Sequence, residues 1–178
     1  MANTYNYAKS LTENYGIRCL IFNLRGVGSS TGSASFKCNA EIADVLGACD
    51  WVRQNFNARV ILVGSSAGAA IAGSALDMAQ NAVGYVGIGY TFGWWSSIVL
   101  GSHFAAILGS KKPKLFIMGD HDGFTSVHQL GQRVKCMENA TVRIVENVGH
   151  FGFESPAYAD STCNYIASFV SNLKNGLE

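Results

Sequence analysis

Apolar residues occur along this 178-residue chain in two alternating patterns. In 41–55 they recur every three or four residues, which places Ile42, Val45 and Cys49 on one face and predicts an amphipathic helix. Elsewhere they form short runs bounded by Gly, Asn or Pro, which is typical of buried strands. The predicted helices cover 5–15, 41–55, 67–80, 128–137 and 157–174, and the predicted strands cover 18–24, 60–64, 83–89, 115–119 and 141–145.

Strands that alternate with helices in this way predict right-handed crossovers and a mainly parallel sheet. We therefore expect an α/β fold, a three-layer αβα sandwich, with residues 1–178 forming a single domain. Active sites of such sheets lie where the strands end, at their carboxyl edge. The loops that follow the strands are therefore the places to search for chemistry.

The composition supports this fold class and narrows the function. Hydrophobic residues make up 48% of the chain and charged residues 14%, which favours elements buried on both faces. The net charge is +1 without runs of like charge, so neither a nucleic acid nor a membrane is expected as a partner. Aromatic residues cluster at 90–95 and 151–153 without interleaved Lys or Arg, which is more typical of pocket walls than of base-stacking surfaces.

Five cysteines, an odd number, show neither a C-x-x-C motif nor a Cys/His metal spacing. Cys19 lies in a predicted strand and Cys49 on a predicted helix, so both are expected to be buried as small apolar residues. Residues 1–6 show no signal-peptide pattern and no apolar run is long enough for a membrane span, so a reducing, cytoplasmic location is predicted.

The stretch Gly64-Ser65-Ser66-Ala67-Gly68 follows one predicted strand and opens the next helix. This G-x-S-x-G pattern, in a strand–turn–helix context, is typical of a nucleophile elbow. The turn forces its central residue, Ser66, into a strained backbone conformation that only small neighbours tolerate. Ser66 is therefore the candidate nucleophile.

Two further strand-following loops carry the groups that a serine nucleophile needs. The loop at 119–123 holds Asp120 and Asp122, and the loop at 147–151 holds His150. A serine hydroxyl needs an imidazole to take its proton, and the imidazole needs a carboxylate to fix its tautomer. The order Ser, Asp, His is that of the α/β-hydrolase version of this triad. We expect no cofactor, and the scattered spacing of the four histidines predicts no metal site.

Residues 22–32, Phe-Asn-Leu-Arg-Gly-Val-Gly-Ser-Ser-Thr-Gly, resemble the "FNFRGVGxSxG" turn of small, cap-poor α/β-hydrolases related to dienelactone hydrolase. Glu41 and Asp44 resemble the acidic pair of the helix that follows, and residues 64–68, 119–122 and 149–151 resemble the elbow, "GDxD" and "GxxHFF" regions. The resemblance implies Ser66 as nucleophile, His150 as base and Asp122, in preference to Asp120, as the acid. It also implies the backbone N–H of Ala67 as one oxyanion donor.

The role of the 22–32 turn and the structure of the 93–112 segment each have an alternative interpretation. Arg25 is expected to brace the turn rather than to bind substrate, and Thr31 breaks a dinucleotide-binding G-x-G-x-x-G pattern. The segment 93–112 is either a short helical lip over an acyl pocket or an exposed loop. In the first case Trp94 and Trp95, together with Phe151, line the substrate pocket.

The chain departs from the resembled group at its amino-terminal end. The strands before the first helix and the His-Pro-Gly-rich oxyanion loop of that group have no counterpart here, so the fold is expected to be N-terminally shortened. An unpaired sheet edge is then expected, which predicts self-association into a homo-oligomer. The second oxyanion donor would come from Ala2 or Asn3 only if the amino terminus folds back over Ser66.

These observations predict a serine hydrolase that cleaves a small ester or related acyl compound through an acyl-enzyme. A thioesterase or a peptidase would use the same triad, and the sequence does not separate them. The alternative from another class is a non-catalytic or weakly active α/β-hydrolase-like scaffold that binds a partner through the exposed edge.

Overall fold

The computed structural model describes residues 2–92 and 103–176 of the chain. Four strands form its sheet: β1 (Val60–Ser65), β2 (Ala82–Ile88), β3 (Lys114–His121) and β4 (Ala140–Gly149). The helices are α1 (Ala2–Tyr15), α2 (Asn39–Phe56), α3 (Ala67–Ala75), α4 (103–109), α5 (Val127–Val134) and α6 (Ala159–Asn175). Two short 3-10 turns, His150–Glu154 and Pro156–Tyr158, lie between β4 and α6.

The strands lie in the order β1-β2-β3-β4, and every neighbouring pair is parallel. In the register, Ser65 lies opposite Ile88, Ile88 opposite Ile117, and Gly119 opposite Val145. The carboxyl ends of all four strands therefore meet at one edge of the sheet, which confirms the predicted parallel architecture.

Helices cover both faces of the sheet, because each face carries its own apolar cluster. On one face α2, α3 and α5 pack through residues such as Ile42, Ile71 and Leu130. On the other face α1 and α6 pack through residues such as Leu11 and Ile166. These three layers confirm the predicted fold class. That 1–178 is one domain stays a prediction.

One predicted strand, 18–24, is wrong. The structure assigns it no strand pairing, and the apolar side chains of Leu20, Ile21 and Phe22 are exposed. Cys19 is also exposed, so its predicted burial is wrong, whereas Cys49 is buried as expected. An apolar run becomes a strand only where another strand lies beside it, and among the described residues β1 pairs on one side alone, with β2.

None of the helices in 2–92 and 103–176 has the length and apolar character to cross a membrane. All five cysteines are described, and none forms a disulfide.

The turn after 18–24 is held to α2 by Glu41 and Asp44, the acidic pair that the resemblance pointed out. Asp44 accepts hydrogen bonds from the Arg25 side chain, with Nη2 2.6 Å from Oδ1, and from the Arg25 backbone N–H at 2.9 Å. Glu41 is buried and accepts from the N–H and the hydroxyl of Ser35. Arg25 therefore braces the turn, as the sequence predicted.

Glu41→Gln is expected to lower the free energy of unfolding by about 2 kcal/mol at neutral pH, since a hydrogen-bonded charge is lost. The hydrogen bonds from Ser35 lower the pKa of Glu41. The carboxylate therefore stabilises the fold fully above its unfolded pKa of about 4.3, and this contribution is lost as pH falls through the folded pKa. Urea unfolding at neutral and acidic pH should show that the free energy of unfolding falls less on acidification in the variant than in the wild type. Glu13→Gln, at an exposed position, is the control. If it reduced the acid-induced loss of stability as much as Glu41→Gln does, the effect could not be ascribed to Glu41.

Candidate active site

Each of the four strands delivers one part of the site at the carboxyl edge of the sheet. Ser66 follows β1 directly, Gly89 follows β2, Asp122 follows β3, and His150 follows β4. The three residues that the sequence proposed as nucleophile, acid and base lie 28 to 84 positions apart in the chain. The parallel sheet brings them together.

Ser66 sits in the strained turn that the elbow pattern predicted. Its backbone has φ 53° and ψ −123°, a region that side-chain-bearing residues rarely adopt. The Ser66 N–H donates to the carbonyl of Ile88 at 2.9 Å, which ties the turn to β2. The geometry requires Gly64, because a Cβ there would lie 2.4 Å from the carbonyl oxygen of Gly68.

A continuous hydrogen-bond chain joins the three predicted side chains. Ser66 Oγ lies 2.8 Å from His150 Nε2, and His150 Nδ1 lies 2.7 Å from Asp122 Oδ2. Because the carboxylate can only accept, Nδ1 carries the proton, and Nε2 is then free to accept the Ser66 O–H. The side chains of His150 and Asp122 are 5% and 0% exposed, so little water competes for these bonds.

Asp122 is held in its ionised form by its hydrogen bonds. Burial acts to raise the pKa of Asp122, but His150 and the backbone N–H groups of Phe124 and Thr125 outweigh it, and the pKa is lowered. Phe124 and Thr125 donate to Oδ1 at 2.8 and 3.0 Å, which leaves Oδ2 for His150. The carboxylate is therefore fixed in position and charged beside His150.

Asp120, the competing acid candidate, lies elsewhere. Its Oδ1 accepts from the N–H of Val148 at 3.3 Å and lies 3.1 Å from Nδ1 of the exposed His121. Asp120 lies near the carboxyl end of β3, so its hydrogen bond with Val148 joins the ends of β3 and β4.

The backbone N–H of Ala67, the predicted oxyanion donor, is the first of helix α3. The first N–H groups of a helix have no partner within the helix, and the helix dipole favours negative charge there. Ala2 and Asn3 open α1, where their N–H groups are likewise without helical partners.

The substrate pocket is described only in part. Phe151 is 66% exposed and lies against His150, with ring centroids 5.2 Å apart. Trp94 and Trp95 lie outside the described residues. On either side of that segment, Phe92 and Phe104 are buried and pack on Tyr90, so these two rings belong to the core.

The other three histidines do not reach Ser66. His103 is buried between Ser74 and the carbonyl of Lys37, His121 is exposed beside Asp120, and His128 is exposed on α5. Within 2–92 and 103–176, no three His, Cys, Asp or Glu side chains are grouped so as to hold a metal ion.

Two site residues escaped the sequence analysis. Thr125 is buried, donates to the carbonyl of Tyr90 at 2.9 Å and accepts from the N–H of Phe92 at 2.7 Å. It thereby connects the loop after β2 to the loop that holds Asp122. Gly89 has φ +57°, and a Cβ built there would lie 3.2 Å from His150 Cε1 and 3.8 Å from Asp122 Oδ2. In the sequence, only the position of Gly89 at the end of a predicted strand could have indicated its place in the site.

Gly89→Ala is expected to reduce kcat by about 10²-fold, because the added methyl group would push the His150 ring away from its position against Ser66 Oγ. Steady-state ester hydrolysis, with the melting temperature measured alongside, checks this. Gly16→Ala is the matched control: Gly16 has φ +63° but nothing within 4 Å of the new methyl group. It should lose comparable stability and keep its kcat, whereas an equal loss of kcat in both variants would show that backbone strain alone is responsible.

Solved structures share this architecture. An α/β serine hydrolase homologue from Coxiella burnetii is 22% identical, covering 94% of this chain and 75% of that one, with a TM-score of 0.75. An α/β serine hydrolase without a lid from Xanthomonas campestris is 21% identical over 96% and 72% of the two chains, with a TM-score of 0.74. An esterase from Pyrococcus furiosus is 16% identical over 94% and 74%, with a TM-score of 0.78.

The chain therefore has the α/β-hydrolase fold. At these identities the likeness establishes the fold alone. No protein-family model matches the sequence, and a comparison with curated proteins gives no match. The relation to dienelactone hydrolase stays a prediction.

Proposed function

We propose that this protein is a serine hydrolase that cleaves a small ester or related acyl compound through an acyl-enzyme. The observation that carries the proposal is the unbroken chain from Ser66 Oγ through His150 to Asp122, with both links shorter than 3 Å. The strained backbone of Ser66, at the end of a strand and the start of a helix, is a second, independent feature of a nucleophile.

In the proposed reaction Ser66 Oγ attacks the carbonyl carbon while its proton moves to His150 Nε2. Asp122 keeps Nδ1 protonated and stabilises the imidazolium that forms. The N–H of Ala67 donates to the oxyanion, and a donor of this kind contributes about 10²–10³ in rate. His150 then returns the proton to the leaving oxygen, and water hydrolyses the acyl-enzyme in a second step. The proposed reaction uses these groups alone and involves no cofactor or metal.

The names of the structural neighbours support a hydrolase, since they are described as serine hydrolases and as an esterase. A thioesterase or a peptidase would use the same three side chains. The shape of the pocket decides among these substrates, and its predicted wall at Trp94 and Trp95 lies outside the described residues. A cytoplasmic location is also proposed, on the basis of the five unpaired cysteines.

The test is labelling by a fluorophosphonate, which phosphonylates activated serines with loss of fluoride. The wild-type protein should be labelled at Ser66, as shown by peptide mass spectrometry, and Asp122→Asn should slow labelling strongly because the tautomer of His150 is no longer fixed. Ser65, its exposed neighbour in the same turn, is the internal control and should stay unmodified. A folded wild-type protein that does not react would favour the scaffold alternative.

Among the described residues β1 pairs on one side alone, with β2, and this supports a proposal of self-association. Val63 on this strand is 47% exposed, and the apolar residues Leu20, Ile21 and Phe22 are also exposed. Unpaired strand edges pair readily with another chain, and exposed apolar side chains add surface that such an association can bury. Light scattering after size exclusion should therefore give the mass of a dimer, and Val63→Lys should shift it to that of a monomer. A wild-type monomer at all concentrations would contradict this.

A further inference from the structure

Two exposed phenylalanine rings lie directly against the His150 imidazole. The Phe124 ring is 4.5 Å from it, centroid to centroid, and the Phe151 ring is 5.2 Å from it. The two phenyl rings also contact each other, 5.9 Å apart and nearly perpendicular. Together Phe124 and Phe151 form what we call the aromatic rim of the site.

The aromatic rim is apolar surface that the fold itself does not bury. Phe124 is 45% and Phe151 66% exposed, although the side chain of His150 between them is buried. Single exposed apolar residues are ordinary, but rings that contact each other and a reactive group form a contiguous apolar surface. This surface can still gain free energy by covering an apolar ligand.

The backbones of both residues are fixed by the site, and each ring contacts the other ring and the His150 imidazole. The N–H of Phe124 donates to Asp122 Oδ1 at 2.8 Å, and Phe151 is the second residue of the 3-10 turn that begins at His150. A ligand that packs against them meets a preformed surface, so little conformational entropy is lost on binding.

The position of the aromatic rim indicates which half of an ester it contacts. Ser66 Oγ bonds to the carbonyl carbon, and the carbon–oxygen bond to the alcohol half breaks. The proton that Ser66 gave to His150 Nε2 then passes to that departing oxygen, which leaves as a neutral alcohol. The alcohol half must therefore lie beside His150 in this step, whereas the carbonyl oxygen lies toward the N–H of Ala67.

We infer that the aromatic rim binds the alcohol half of the substrate and selects esters of apolar alcohols, aromatic ones above all. Aromatic contacts in edge-to-face geometry contribute beyond simple burial, which favours a phenyl ring over an alkyl chain. This inference rests on the proposed function and adds the substrate class to it.

The experiment compares kcat/KM for three esters: ethyl acetate, 2-phenylethyl acetate and ethyl hexanoate. The first two share an acyl group, and two methylene groups separate the phenyl ring from the leaving oxygen, so the ring mainly reports binding. The wild-type protein should prefer 2-phenylethyl acetate to ethyl acetate. Phe124→Ala and Phe151→Ala should each lower that preference by about 3- to 10-fold, while the ratio of ethyl hexanoate to ethyl acetate stays unchanged.

Phe56→Ala is the matched control. Phe56 is 54% exposed and packs on Trp51, but it ends α2 shortly before β1 begins, at the opposite edge of the sheet. This variant should keep the wild-type preference. Melting temperatures of all three variants should stay close to the wild-type value, because the replaced rings are largely solvent-exposed.

Three results would overturn the inference, and they separate it from the proposed function. If the rim variants lower the ethyl hexanoate ratio instead, the rim binds the acyl half. If Ser66 reacts with a fluorophosphonate but 2-phenylethyl acetate has no advantage, the inference fails and the proposed function stands. If Ser66 does not react and no ester is hydrolysed, the proposed function fails and the inference with it.

Discussion

Replacing Ser66 with alanine is expected to abolish ester hydrolysis and to leave the fold intact. Loss of the nucleophile of such a triad costs about 10⁶-fold in kcat, because binding and oxyanion stabilisation remain but the covalent route is lost. The hydroxyl makes one side-chain hydrogen bond, to His150, so the melting temperature should change little. Steady-state kinetics with a short-chain p-nitrophenyl ester would measure the effect.

Two comparisons make this result specific. Ser65→Ala, in the same turn but on an exposed side chain, should keep its activity within a few-fold. The double variant Ser66→Ala/His150→Ala should be no slower than Ser66→Ala alone, since the two residues act as one unit. Turnover that persists in the folded Ser66→Ala variant would place the nucleophile elsewhere or show that hydrolysis is incidental to a scaffold.

The second large effect is expected on stability. Gly64→Ala should lower the free energy of unfolding by about 3 kcal/mol. Its new Cβ would lie 2.4 Å from the carbonyl oxygen of Gly68 and 2.6 Å from the Cα of Ala69, and both are backbone atoms that move only with helix α3. Urea unfolding would show the loss, and hydrolysis should fall as well because Ser66 shifts with the turn.

Gly68→Ala tests whether both glycines of the G-x-S-x-G pattern are needed for the same reason. Nothing lies within 4 Å of a Cβ at Gly68, which is the second residue of α3. Because alanine loses less backbone entropy than glycine in a helix, this variant should be as stable as the wild type or gain about 0.5–1 kcal/mol. Equal destabilisation of the two variants would contradict the steric explanation.

Helices and strands that depend on local patterns could be predicted from the sequence. The spacing of apolar residues in 41–55 corresponds to α2, and the short run before the elbow corresponds to β1. The run at 18–24 shows the limit of this reasoning. Its residues have the composition of a strand, but pairing depends on which segment lies beside it, and no local pattern contains that information.

For the candidate site, too, local patterns predicted some features and not others. The strand–turn–helix context of Ser66, and the order in which Asp122 and His150 follow, could be taken from the chain because each residue type stands directly after a predicted strand. The choice of Asp122 over Asp120 depended on a resemblance, and the hydrogen-bond geometry agrees with it. The role of Trp94 and Trp95 in lining the pocket stays a prediction.

The sequence by itself determined the α/β architecture and the serine turn, and it supplied the three side chains that we propose for the chemistry. The tertiary structure alone decided how they meet: the 2.8 and 2.7 Å links through His150, the close approach of Gly89 and the aromatic rim of Phe124 and Phe151. Local sequence sets backbone preference and periodicity, whereas these contacts join loops from different strands. Their distances follow only once the parallel sheet has placed four strand ends side by side.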